Sequence, residues 1–114
     1  MALSSAERYE AAARQHGKST SIGEPDAANR AYVQMMEALQ ELHGEADQGR
    51  SILSKLVSHS DDWVKIWAST HLLPLAEIQA RAILERIASG PPSLVEFNAK
   101  MVLQEWRAGR LRSL

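Results

Sequence analysis

"ILSKLVSHSDDWVKIWASTHLL", Ile52–Leu73, aligns without a gap over "ILERIASGPPSLVEFNAKMVLQ", Ile83–Gln104, at an offset of 31 residues. Ile52, Leu53, Leu56 and Ser58 fall on Ile83, Leu84, Ile87 and Ser89; beyond a polar break, Trp63, Val64, Ala68 and Leu72 fall on Leu94, Val95, Ala99 and Leu103. In each copy the apolar residues recur at helical spacing, stop at a cluster of turn formers, and resume. A helix-hinge-helix unit cannot close its own apolar face, whereas a second stacked copy closes it. The pattern predicts two HEAT-like helical hairpins with a period shorter than the roughly 40 to 47 residues of HEAT and armadillo units.

Working outward, the sequence predicts an all-α fold, a compact array of five or six helices. The first helix is expected over Ser5 to about His16, with Leu3, Ala6, Tyr9 and Ala13 near one stripe, and Gly17 to Gly23 reads as a polar linker. Residues 1–24 are thus an N-terminal helix and linker, serving as a cap, and 25–114 the HEAT-like helical domain. Asp26 is positioned to cap a second helix whose Val33, Met35, Met36, Leu39 and Leu42 form a broad apolar face. A third helix is expected from about Glu45 to Val57, carrying Gly49 at a cost of about 1 kcal/mol relative to Ala. Asp61 or Ser60 caps a fourth, with Val64, Trp67 and Ala68 inside and His71 at the boundary of the core. Pro74 suits the first turn of a fifth helix, where its missing N–H costs nothing. Leu94, Phe97, Met101 and Trp106 supply the apolar surface of a sixth, and Gly109 follows as its C-terminal cap.

The segment "HSDDWVKIWASTHLLPLAEIQARAILERIASGPP" resembles the small bacterial DUF2019 family, in which a His-Pro-Asn-like hinge and a "VRxxAA" helix precede a "P..A...L..IA" helix. Val64, Lys65 and Ala68 match the first helix, and Pro74, Ala80, Leu84, Ile87 and Ala88 the second. Upstream, Asn29, Glu41, Leu42, Gly44, Arg50 and Leu53 follow the family's "N.....V...ELK...G..R..L..L" region. The resemblance spans roughly Ala27 to Gly109, with Lys65 in place of the usual Arg, Trp67 in place of a smaller residue, and Pro91-Pro92 in place of an aromatic turn. It implies the helical architecture and no activity.

Composition narrows the function further. Thirteen Lys and Arg against fourteen Asp and Glu leave a formal charge of -1, which supplies no long-range field for nucleic acid or anionic lipid. The chain contains no cysteine, so disulfides, thiolate chemistry and Cys-based metal sites are excluded. The N-terminus lacks a basic region followed by an apolar run, and the apolar stretches are too short to cross a bilayer, so a cytoplasmic location is expected.

The four histidines do not form a metal-binding pair of the HExxH kind. His59 with Asp61 and Asp62 is the one grouping that would suit a metal-dependent or hydrolase-like enzyme, but hinge and capping roles account for all three. "GKST" at Gly17 lacks the preceding glycine and strand of a phosphate-binding loop. The expectation is therefore a non-enzymatic protein-interaction or regulatory module without a cofactor, a monomer or small homo-oligomer whose partner is another protein. Its surface is placed at Asp61, Asp62, Trp63 and Lys65, with Arg50 and Arg81 as peripheral charges. Nucleic-acid binding by the helical repeat is the alternative, for which a continuous basic track is required; Glu77, Glu85, Glu96 and Glu105 interrupt the cations of the C-terminal half.

Overall fold

The computed structural model describes residues 3–44 and 48–111, so the expected start of the third helix at Glu45 lies outside the described residues. Six helices occur among them, α1 Ser5–Ser21, α2 Pro25–His43, α3 Gln48–Leu56, α4 Asp62–Leu72, α5 Glu77–Ala88 and α6 Leu94–Arg107, and no strands. The chain forms two units, Met1–Ile52 and Leu53–Leu114. The two matched sequence segments keep one order, helix, hinge, helix, with hinges before Asp62 and before Leu94.

In the first unit α1 packs along most of its length against α2. Arg8, near the start of α1, pairs with Glu41 near the end of α2, so the two helices run antiparallel. A reciprocal capping box opens α1: Ser4 Oγ accepts the Glu7 N–H at 3.1 Å and Glu7 Oε1 accepts the Ser4 N–H at 3.1 Å. The helix does not end at His16. It continues through the expected linker because Gly17 and Ser19 extend the buried stripe of Tyr9, Ala12 and Ala13. Glycine in a helix interior costs about 1 kcal/mol against Ala, and packing of this face outweighs that intrinsic preference. Ser19 brings its own polar partner, accepting from Gln15 Nε2 at 2.9 Å. The reversal follows at Gly23, whose φ of 73° is the left-handed region that favours glycine.

Asp26 does not cap α2. Pro25 occupies the first helical position, Glu24 precedes it without a side-chain cap, and Asp26 lies in the first turn, where its charge complements the helix dipole. The buried face is Ala28, Ala31, Met35, Ala38, Leu39 and Leu42, whereas Val33 is exposed. Gly49 has a steric reason: a Cβ there would lie 2.8 Å from His43 Nδ1 and 3.3 Å from the Leu42 carbonyl oxygen.

In the second unit α4 packs on α5 and α6, and α5 most extensively on α6. Seven of the eleven residues of α4 are buried, including Ser69, Thr70 and His71. Thr70 satisfies its hydroxyl locally by donating to the Ile66 carbonyl at 2.7 Å. His71 is a core residue, 1% exposed, not a boundary one; it stacks on Trp67 with centroids 5.5 Å apart. Trp67 itself is half-buried. Pro74 belongs to the turn after α4, where Leu72 accepts the N–H groups of Leu75 and Ala76, and α5 begins only at Glu77. Ser93 Oγ caps α6 by accepting the Glu96 N–H at 3.0 Å, and Gly109, with φ 76°, turns the chain away from its end.

Leu84 and Ile78 lie on one helix with opposite environments, fully buried and 89% exposed. Leu84→Ala should cost about 2–5 kcal/mol of unfolding free energy, the range for a truncated buried leucine, whereas Ile78→Ala should stay within about 0.5 kcal/mol. Urea denaturation of the two variants checks this, and equal losses would contradict the burial pattern of α5.

Candidate interaction surface

The hinge before α4 gathers four of the expected site residues. Asp61 Oδ1 accepts the Trp63 N–H at 2.8 Å and the Val64 N–H at 3.3 Å, so this carboxylate is occupied in capping the helix. His59 Nδ1 accepts the Asp61 N–H at 2.9 Å, which fixes the imidazole against the backbone of the hinge. Asp62 Oδ1 stands 3.7 Å from Lys65 Nζ one turn along, and Trp63 between them is half-buried. Among the described residues no group of three or more His, Asp or Glu side chains is arranged to hold a metal ion.

Arg81 is on α5, 3.3 Å from both Glu77 and Glu85, and Arg107 of α6 approaches Glu85 at 3.9 Å. These contacts make a ladder of alternating charge that neutralises itself. Arg50, exposed on α3, belongs to the first unit, while Asp61, Asp62, Trp63, Lys65 and Arg81 belong to the second. The structure thus groups Asp61, Asp62, Trp63 and Lys65 at the start of one helix and gives Arg81 its own carboxylate partners.

A different surface emerges on α6. Its buried residues are Glu96, Ala99 and Leu103, while Leu94, Phe97 and Met101, expected to supply packing surface, are 45%, 56% and 37% exposed. At 3.6 residues per turn the two sets lie on roughly opposite sides of the helix. One face of α6 is packed and the other is an outward apolar stripe. The three- and four-residue spacing that marks the stripe was visible in the sequence, but it fits a core-facing set equally well. The discriminating signal was Ala99, a small residue suited to close helix packing.

Glu96 edges the packed side, its side chain 11% exposed, and forms an ion pair with Lys100 one turn on. The Lys100 ammonium holds the Glu96 carboxyl below the usual carboxylate range. Tyr9, fully buried in the first unit, is shifted the other way: burial pushes its hydroxyl well above the usual value of 10.0.

Two concave sites occur in the second unit at corresponding places in the matched segments. A hollow of about 430 Å³ includes Ala88, Ser89, Glu85 and Arg107. A groove of about 270 Å³ includes Val57, Ser58, Lys65 and Arg86. At the 31-residue offset Val57 corresponds to Ala88 and Ser58 to Ser89.

Among comparisons with known proteins, one family model matches, described as "Domain of unknown function (DUF2019)", over residues 9–106. The match begins inside α1, and so takes in a helix that the resemblance read from the sequence, starting near Ala27, left out. No curated protein and no solved structure matches the chain. No described helix is long and apolar enough to cross a membrane.

Two measurements test the local chemistry. Asp61→Ala should lower stability by about 1 kcal/mol through loss of the cap, with Asp61→Asn recovering most of it; equal midpoints in urea for wild type and Asp61→Ala would contradict the capping role. For Glu96 the folded carboxyl titrates below its unfolded value of 4.5, so its contribution is present above that value and is lost as pH falls through the lowered folded one. Carbon-detected NMR titration should show Glu96 titrating below an ordinary glutamate, and Lys100→Met should return it toward 4.5.

Proposed function

The chain belongs to the DUF2019 family, and we propose that it is a non-enzymatic protein-interaction or regulatory module acting in the cytoplasm, as a monomer or small homo-oligomer. The observation that carries this reading is the outward stripe of Leu94, Phe97 and Met101 on a helix whose other side is packed. A side chain such as Phe97 gains little by facing water, and contiguous exposed apolar surface marks sites of association. HEAT-like helical hairpins suit the role, because a packed face supports an outer face whose residues vary without disturbing the core.

The partner in this reading is a protein with an apolar recess that takes Phe97 as its anchor, while Lys100 and Glu105 form a charged rim that sets orientation. Trp63 and Lys65 contribute a second, more recessed contact. Against the nucleic-acid alternative, Arg81, Arg107, Arg110 and Lys100 each face a carboxylate of the chain itself, which breaks up the positive charge of these described residues that a phosphate backbone would follow. Against an enzyme, His59 and Asp61 already serve the backbone of the hinge.

The test is capture from a lysate of the source organism by wild-type protein, by a Phe97→Asp/Met101→Lys double variant, and by Trp63→Ala. Both altered α6 positions are solvent-facing, so the double variant should keep its circular dichroism and unfold within about 1 kcal/mol of wild type. A stoichiometric protein held by wild type and lost by the double variant is the expected result. Retention by the folded double variant would remove α6 as the contact face.

A further inference from the structure

We propose that the groove lined by Val57, Ser58, Lys65, Ile83, Arg86 and Ile87 is a binding site for a carboxylate carried on a short aliphatic chain. The charge balance of the groove is the first reason. Two cations line it and no acidic residue does. Lys65 has only a loose contact of 3.7 Å with the exposed Asp62. Arg86 has no ion pair with a described carboxylate, whereas in the same unit Arg81 has two and Arg107 and Arg110 have one each.

The corresponding hollow elsewhere in the second unit serves as an internal control. There Glu85 lies in the lining beside Arg107 at 3.9 Å, and the other lining cation, Lys100, is paired along its own helix with Glu96. That hollow has a carboxylate in its lining and both its cations paired; the Lys65–Arg86 groove has no carboxylate in its lining and leaves Arg86 without an ion pair to a described carboxylate. An anion entering it therefore displaces little existing pairing and gains two charge-assisted contacts, with the Ser58 hydroxyl as a further donor.

The apolar lining specifies what the anion is attached to. Val57 is 3% exposed, and Ile83 and Ile87 are half-buried on successive turns of α5. A bare phosphate would leave these side chains wet, whereas an alkyl chain removes them from water at about 25 cal/mol per Å². A volume near 270 Å³ suits a chain of a few carbons rather than a nucleotide. The same chemistry comes from a free short-chain acid or from a glutamate flanked by leucines in a partner's segment. The groove shares Lys65 with the second contact of the proposed module but uses none of the α6 stripe, so loss of capture in the Phe97→Asp/Met101→Lys variant and failure of this titration are separate outcomes.

The experiment follows backbone amides of the 15N-labelled full chain during titration with sodium hexanoate, with hexan-1-ol and hexylammonium as controls, and with an end-blocked Leu-Glu-Leu peptide beside its Leu-Gln-Leu counterpart. Saturable shifts at Ser58, Lys65 and Arg86 with hexanoate or the glutamate peptide, absent with the alcohol, the amine and the glutamine peptide, are expected. Tighter binding of hexanoate assigns the free acid and tighter binding of the peptide assigns a partner's side chain; each outcome supports the site. Arg86→Gln and Lys65→Gln should each weaken binding about tenfold, the scale of one lost charge-assisted contact, with circular dichroism unchanged. Absence of saturation with both anions, equal shifts with hexan-1-ol, or affinity unaltered in both folded variants would overturn the proposal.

Discussion

The second unit depends on the burial of one narrow stripe on α5. That helix has twelve residues, too few to persist alone in water, and only Ala80 and Leu84 are fully enclosed along it. The helix packs against both α4 and α6. Ala80 supplies little bulk, which allows a close approach of helix axes, and Leu84 supplies the apolar area. The outer residues of α5, from the paired Arg81 to the groove-lining Arg86, inherit their positions from this contact. Their charges are set by sequence and their usefulness by packing.

The parts of the fold that were legible in the sequence are those governed by local chemistry. Asp61 caps its helix as its residue type demands, and Gly109 takes the left-handed conformation expected of a C-terminal cap. Reading failed where tertiary packing overrode a local preference. Gly17 looks like a linker residue until α2 is beside it, and Pro74 fits a first helical turn as well as it fits the turn that precedes one. Asp26 has the chemistry of a cap, but Pro25 had already set the start of α2.

The candidate surface was legible to a lesser degree, for a related reason. Periodicity identifies an apolar stripe and is silent on which side of it the core lies. On α6 both Leu94-Phe97-Met101 and Ala99-Leu103 satisfy the helical period, and bulk alone favoured the first set. The structure encloses the second. Likewise, proximity in sequence placed Asp61 beside Trp63 and Lys65 as if the three shared a purpose, whereas the Asp61 carboxylate is spent on backbone N–H groups. The pairing of Lys65 with Arg86 across two helices leaves no spacing signature, because only folding brings them to one groove.

The order in which the helices pack bears on how the chain reaches this state. Within the units, α1 meets α2, α4 meets α5 and α5 meets α6, and α4 with α6 skips a single helix. Contacts between chain neighbours close short loops, so the topology has low contact order, and helical domains of that kind fold on microsecond to millisecond timescales. Rapid closure matters for a chain that carries Phe97 and Met101 on an outward face. The core-facing residues are sheltered soon after synthesis, which confines the time in which they add to that stripe as a nucleus for aggregation.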